Sequence, residues 1–170
     1  MLILVFLVIA LVGAGIHLAL QKQPRTGKRL VEIVLLWVLV VCVGVNGLFD
    51  FYGHAFRADE TARLIGWPTG NPFQFEVAIA DLVFGILGIL CIWIRGTFWY
   101  AAGLAGVLFG LGAAYGHIVQ MVVYGDYAPY NAGLFLYSEI AVSLLILGLL
   151  LAYKLLDQRA QTQPTASVSV

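Results

Sequence analysis

The stretch Phe98–Tyr124, FWYAAGLAGVLFGLGAAYGHIVQMVVY, decides the fold. It is apolar along nearly its whole length and exceeds the ~20 residues a helix needs to cross a bilayer. At ~100° per residue, Gly103, Gly106, Gly110, Ala113, Ala114 and His117 fall on one stripe. Small residues at that spacing let helices approach closely. The same stretch also contains His117 and Gln120, polar groups where lipid or packed helices are expected.

Four further segments meet the length and apolarity required of a span: Leu2–Leu20, Leu30–Phe51, Phe75–Ile94 and Gly133–Leu155. Backbone groups in lipid must pair within their own segment, and the alternation of a barrel is absent, so these read as helices. The whole composition agrees. Of 170 residues, 62% are hydrophobic and 11% charged, and the mean hydropathy is +0.96. A soluble domain carries about a quarter charged residues. The expected fold is therefore all-α: a polytopic membrane five-helix bundle, with residues 1–156 as a single transmembrane domain. A formal net charge of zero gives no sign of a nucleic-acid partner. The first segment lacks a basic n-region and is longer than the ~7–15 apolar residues of a signal peptide, so it reads as a retained helix.

Orientation follows from Lys and Arg in the short connections. Lys22, Arg25, Lys28, Arg29, Arg95, Lys154 and Arg159 fall on one side of a five-span chain, and only Arg57 and Arg63 on the other. The expectation is an N-terminus outside, a cytoplasmic C-terminus, and a multi-pass protein of the cell (inner) membrane. Trp93, Trp99, Tyr100 and Tyr153 sit near the inner interface, and Phe51, Tyr52, Tyr124, Tyr127 and Tyr130 near the outer one, as amphipathic rings prefer. Residues 157–170 read as a flexible cytoplasmic tail. The long outer loop 52–74 contains RADETARLIGW, which predicts a short helix capped near Asp59. Leu64, Ile65 and Trp67 are then available to lie on the membrane surface. PTGNP reads as a turn.

Ionisable residues inside spans are costly and face protein or water. Asp81, His117 and Glu139 each lie about 10 Å below the outer boundary at 1.5 Å per residue, and Asn46 roughly 8 Å. Four helices thus place a polar group in one layer. Asp81 shares an inward stripe with Gln74, Ala78, Gly85 and Gly88, while Glu76 points about 140° away, near the mouth of its span. Glu139 and Ser143 are i,i+4 neighbours. Cys42, Asn46 and Asp50 follow at i+4 steps, and His54 continues the ladder if the helix persists. His17 reads as interfacial, and Glu32 as paired beside the basic first loop.

Several chemistries are disfavoured. HExxH and the Glu-x-x-His pair of di-iron bundles are absent, so no metal is assigned. A second histidine at suitable depth for bis-His haem is lacking. No strand precedes the glycine motifs to make a nucleotide site, and Ser138 and Glu139 point about 100° apart rather than forming a triad. Cys42 and Cys91 lie at depths roughly 12 Å apart along the membrane normal on that rise, too far for a disulfide. No motif in the sequence assigns a cofactor or an enzymatic reaction. Two readings of the polar layer stay open: a protonatable cluster, or side chains that pair across helices as structural glue.

IGWP (Ile65–Pro68), PFQFEVA (Pro72–Ala78), GHI (Gly116–Ile118) and APYNAG (Ala128–Gly133) resemble a family of small bacterial integral membrane proteins known as a domain of unknown function. The similarity covers roughly residues 50 to 150. It implies Gln74, Glu76, His117 and Asn131 as the positions the motif picks out, and it implies no mechanism.

The leading functional expectation is a polar, protonatable small-ligand or cation site in the outer half of the bundle. Its candidate residues are Asp81, His117, Gln120, Glu139, Glu76, Asn46, Asp50 and Asn131. The alternative is a non-enzymatic accessory or structural subunit of a membrane complex, packing through glycine stripes. A small transporter acting as an oligomer ranks below both, because internal repeats are absent. The expected partners are the lipid bilayer and either a second copy or another membrane protein.

Overall fold

In the computed structural model, which describes residues 2–162, every regular element is a helix. In chain order these are α1 (Leu2–Leu20), α2 (Gly27–Phe56), α3 (Ala58–Ile65), α4 (Phe73–Leu90), α5 (Thr97–Tyr124) and α6 (Leu134–Thr162). All but α3 are long and apolar enough to cross a membrane.

Local chemistry moves several expected boundaries. α2 starts at Gly27 rather than Leu30 because Thr26 Oγ1 accepts the Arg29 N–H at 3.2 Å, an N-cap. It runs on to Phe56, and Arg57 breaks it at φ −129°, ψ 36°. α4 starts at Phe73, whose N–H is accepted by Asn71 Oδ1 at 2.9 Å, and ends at Leu90 rather than Ile94. The chain then tightens into a turn and reverses at Gly96, whose φ of 67° suits only glycine. α6 continues to Thr162, so residues 157–162 of the expected flexible tail are helical. No proline or glycine interrupts Tyr153–Thr162, and Lys28 Nζ meets Asp157 Oδ1 at 2.6 Å. The rest of that expected tail, 163–170, lies outside the described residues.

α2 is not a uniform α-helix. Leu39–Val45 is wound as a π-helix, and the Asn46 N–H donates to the Val41 carbonyl five residues back. Such wide turns are uncommon and concentrate at functional segments.

α2 and α4 cross in backbone contact. A Cβ at Gly88 would overlap the Gly44 backbone and lie 2.8 Å from the Leu39 carbonyl oxygen. One at Gly47 would lie 2.8 Å from Gly85 N and 2.9 Å from the Asp81 carbonyl oxygen. α5 and α6 form the second close pair. Gly103 abuts Leu150 and Ile146, and a Cβ at Gly110 would lie 2.6 Å from Ser143 Oγ. The apolar core joins the two pairs at the end of the bundle away from α3, through Leu35, Val38, Leu39, Val43, Ala102, Val107, Val142, Ile146 and Leu150. α1 lies outside against α2 and α6, burying Ala10 and Ala14. His17 is held to α2 there, accepting from Trp37 Nε1 at 3.2 Å, and Glu32 pairs with Arg29 at 3.3 Å.

Towards the α3 end the pairs part. Residues 46–56 of α2 pack on α4 and make little contact with α5 or α6. The gap between the pairs is capped by α3, which lies over it. Leu64 and Trp67 line that gap and Ile65 is buried, so these side chains do not lie on a membrane surface as expected. Asp59 does not cap α3 either. It sits in the first turn, and its Oδ1 instead accepts the Gly70 N–H at 2.9 Å, which folds the following turn back.

Substituting Gly88 by alanine should force α2 and α4 apart and cost about 1–3 kcal/mol, the usual range for overpacking. A Cβ at Gly148 meets nothing within 4 Å, so Gly148→Ala should leave stability unchanged or slightly raised. Thermal unfolding of both variants in detergent measures the difference.

Candidate functional site

The gap is a cavity of about 660 Å³, a volume suited to a small organic molecule. α2 contributes Asn46, Asp50 and His54, α4 contributes Asp81, α5 contributes His117 and Gln120, and α6 contributes Glu139. Glu60, Thr61, Leu64 and Trp67 form its cover together with Tyr130 from the α5–α6 loop. Phe49, Leu108, Phe109 and Phe135 give it apolar walls. Phe109 also meets Phe84 of α4, ring centroids 4.7 Å apart, bridging the two helix pairs.

Most of the side chains singled out in the sequence therefore surround one space, but they do not bond to one another across it. Asp81 is 6% exposed, and its Oδ2 has no hydrogen-bond partner. Glu139 Oε2 likewise lacks one. Its nearest approach to His117 is 3.9 Å from Nε2, beyond hydrogen-bond range. Asn46 Nδ2 donates to Asp50 Oδ2 at 2.6 Å along one helix face.

Both cavity histidines are oriented from behind. Asn131 is fully buried; its Nδ2 donates to the Asp126 carbonyl at 2.6 Å, which turns its Oδ1 towards His117 Nδ1 at 2.6 Å. Nδ1 then carries a proton donated to Asn131, and Nε2 is the nitrogen that faces Glu139. Phe135 packs edge-on against the same ring at 5.6 Å. His54 Nδ1 meets Gln74 Oε1 at 2.5 Å, and Gln74 is 2% exposed. Asn131 and Gln74, two of the four positions implied by the resemblance, thus act through histidines and do not line the cavity. Glu76 neither lines it nor turns inward: it is exposed in the first turn of α4, on the face its helical phase predicts. Cys42 and Cys91 are buried as free thiols away from the cavity.

The cover is locked to the second loop. The Tyr130 N–H donates to the Leu64 carbonyl at 2.9 Å, and Gly66, at φ 93°, lies directly against the Asp126 carboxylate. Only glycine fits there on both counts. Arg57 and Glu60 form an ion pair at the rim. Sequence reasoning missed Trp67, Tyr130, Arg57 and Glu60 as lining residues. The signal was present for two of them, since Trp67 falls in IGWP and Tyr130 in APYNAG. Among the described residues no three His, Cys, Asp or Glu side chains converge closely enough to share a metal ion.

Removing the Asn131 side chain should leave the Asp126 carbonyl and His117 Nδ1 unpaired, at a cost of about 1–3 kcal/mol. Asn131→Ala should lower the thermal midpoint accordingly. In nitrogen-labelled protein the His117 ring should show a single Nδ1-protonated tautomer that the substitution converts to a mixture.

No curated protein and no solved structure matches the chain. One family model matches residues 1–159, from the first apolar helix into the last turns of the fifth. The chain belongs to that family, DUF6790, a family of unknown function.

Proposed function

We propose that this is a multi-pass membrane protein whose cavity binds a small molecule, with the α3 end of the bundle outside the cell membrane and the C-terminus in the cytoplasm. The observation that carries the site is Asp81: a buried carboxylate with an unpartnered oxygen on the wall of a cavity. Polar glue pairs its members directly, because an unsatisfied polar group buried in apolar surroundings costs about 1–3 kcal/mol. Asp81 and Glu139 both line one space, and each keeps a buried oxygen without a partner, so the layer is better explained as a binding surface than as a cross-helix clasp. His117, Gln120, Asp50 and Asn46 complete that surface, with Asn131 and Gln74 as positioning residues. Orientation is supported by the seven basic residues at the end opposite α3.

Two measurements test this reading. In a C42A/C91A background, a cysteine at Gly112, where added side-chain atoms meet open space on the cavity wall, should react with N-ethylmaleimide. Filling the cavity with Gly116→Trp should slow that reaction by about tenfold. An unchanged rate would put position 112 on an outside surface and end the cavity reading. For orientation, a cysteine at Thr69 should be labelled in intact cells by a membrane-impermeant maleimide, and one at Gln23 only after permeabilisation. The reverse pattern would invert the topology.

A further inference from the structure

The small-ligand reading leaves the chemical class of the ligand open, and the balance of donors and acceptors around the cavity narrows it. His117 Nε2 and Glu139 Oε2 face each other at 3.9 Å. With Nδ1–H committed to Asn131, Nε2 of the neutral ring is left as an acceptor. Glu139 Oε2, facing it, has no donor within hydrogen-bond range. Asp81 Oδ2 is a further buried acceptor without a donor, and Asp50 adds a third carboxylate to the same wall. The one basic chain among the lining residues, Arg57, is half exposed and engaged with Glu60 at the rim. The cavity therefore gathers carboxyl and imidazole groups with no lysine and no free arginine among its lining residues to pair with them.

A metal ion is a poor answer, because the carboxylates and histidines do not converge on one point. The remaining walls are apolar and aromatic, with Phe49 and Leu108 on two sides and Tyr130 stacked on Phe135 at 5.3 Å. Aromatic faces attract cations as well as apolar surface. We propose that the cavity binds an organic cation: a protonated amine on an apolar body, its ammonium donating to the acceptors of Glu139, His117 and Asp81. This inference rests on the small-ligand reading and adds only the ligand class. A primary ammonium supplies three donors and one positive charge, which is what the wall lacks. Such a group can arrive on a free amine or as the headgroup of an ethanolamine phospholipid.

The test uses the full-length protein in detergent and three probes of one shape: 2-phenylethylamine, 2-phenylethanol and phenylacetate. The amine should raise the thermal midpoint and bind at least tenfold tighter than the alcohol, about 1.4 kcal/mol, and phenylacetate should bind least. Protection of a cysteine at Gly112 from N-ethylmaleimide by the amine should confirm the place of binding. Asp81→Asn and Glu139→Gln should each reduce the preference for amine over alcohol, and either variant suffices if the other fails to fold. Protection of Gly112→Cys by the alcohol or the acid, equal to or better than by the amine, would overturn the ligand class and leave the small-ligand reading standing. Absence of protection by all three probes, and by ethanolamine phospholipid added in nanodiscs, would overturn both. Protection by the phospholipid alone would keep the ammonium and assign its source to a lipid.

Discussion

The structure depends on the backbone contact between α2 and α4. Gly44 meets Gly88 and Gly47 meets Gly85 with no side chain between them. Helices in an apolar surrounding gain little from hiding apolar surface, so close packing of small residues becomes the attractive force between them. That crossing holds Asp81, Asn46 and Asp50 on one wall. The Ser143–Gly110 contact does the same for α5 and α6, and so sets Glu139 against His117. The two pairs share a core at one end and part at the other, and the polar layer occupies the space where they part.

The polar residues are arranged in two tiers. Asn131 and Gln74 are buried, and each grips one ring nitrogen of a histidine through its side-chain oxygen. Asp81 and Glu139 in front of them each keep one buried oxygen without a partner. The cover follows the same division: the Tyr130–Leu64 bond and the seat of Asp126 against Gly66 fasten one loop to the other, while Trp67 and Tyr130 turn inward.

Much of this was legible before any coordinates. Five apolar segments appear with their approximate limits; the errors lie at helix ends, some extended by a cap or an ion pair, as Thr26 does for α2 and Asp157 for α6, and one cut short by the turn after Leu90. Counting depth brought Asp81, His117, Glu139 and Asn46 to one layer, and all four line the cavity. Helical phase also read Glu76 as turned away from Asp81, against the weight the family resemblance gave it. The loop residues were misread. An amphipathic run such as Arg57–Trp67 looks the same whether its apolar side meets lipid or covers a cavity.

Hydropathy and helical periodicity are properties of one segment at a time. The sequence by itself therefore determined the all-helical architecture, the apolar helices and the common level at which Asn46, Asp81, His117 and Glu139 meet. Which helices touch depends on pairs of glycines more than 35 residues apart in the chain, Gly44 with Gly88 and Gly47 with Gly85, and no local pattern encodes that pairing. Only the tertiary structure decided that the two helix pairs separate around the polar layer, that Asn131 and not Glu139 grips His117, and that the His117–Asp81–Glu139 group surrounds a space instead of closing on itself.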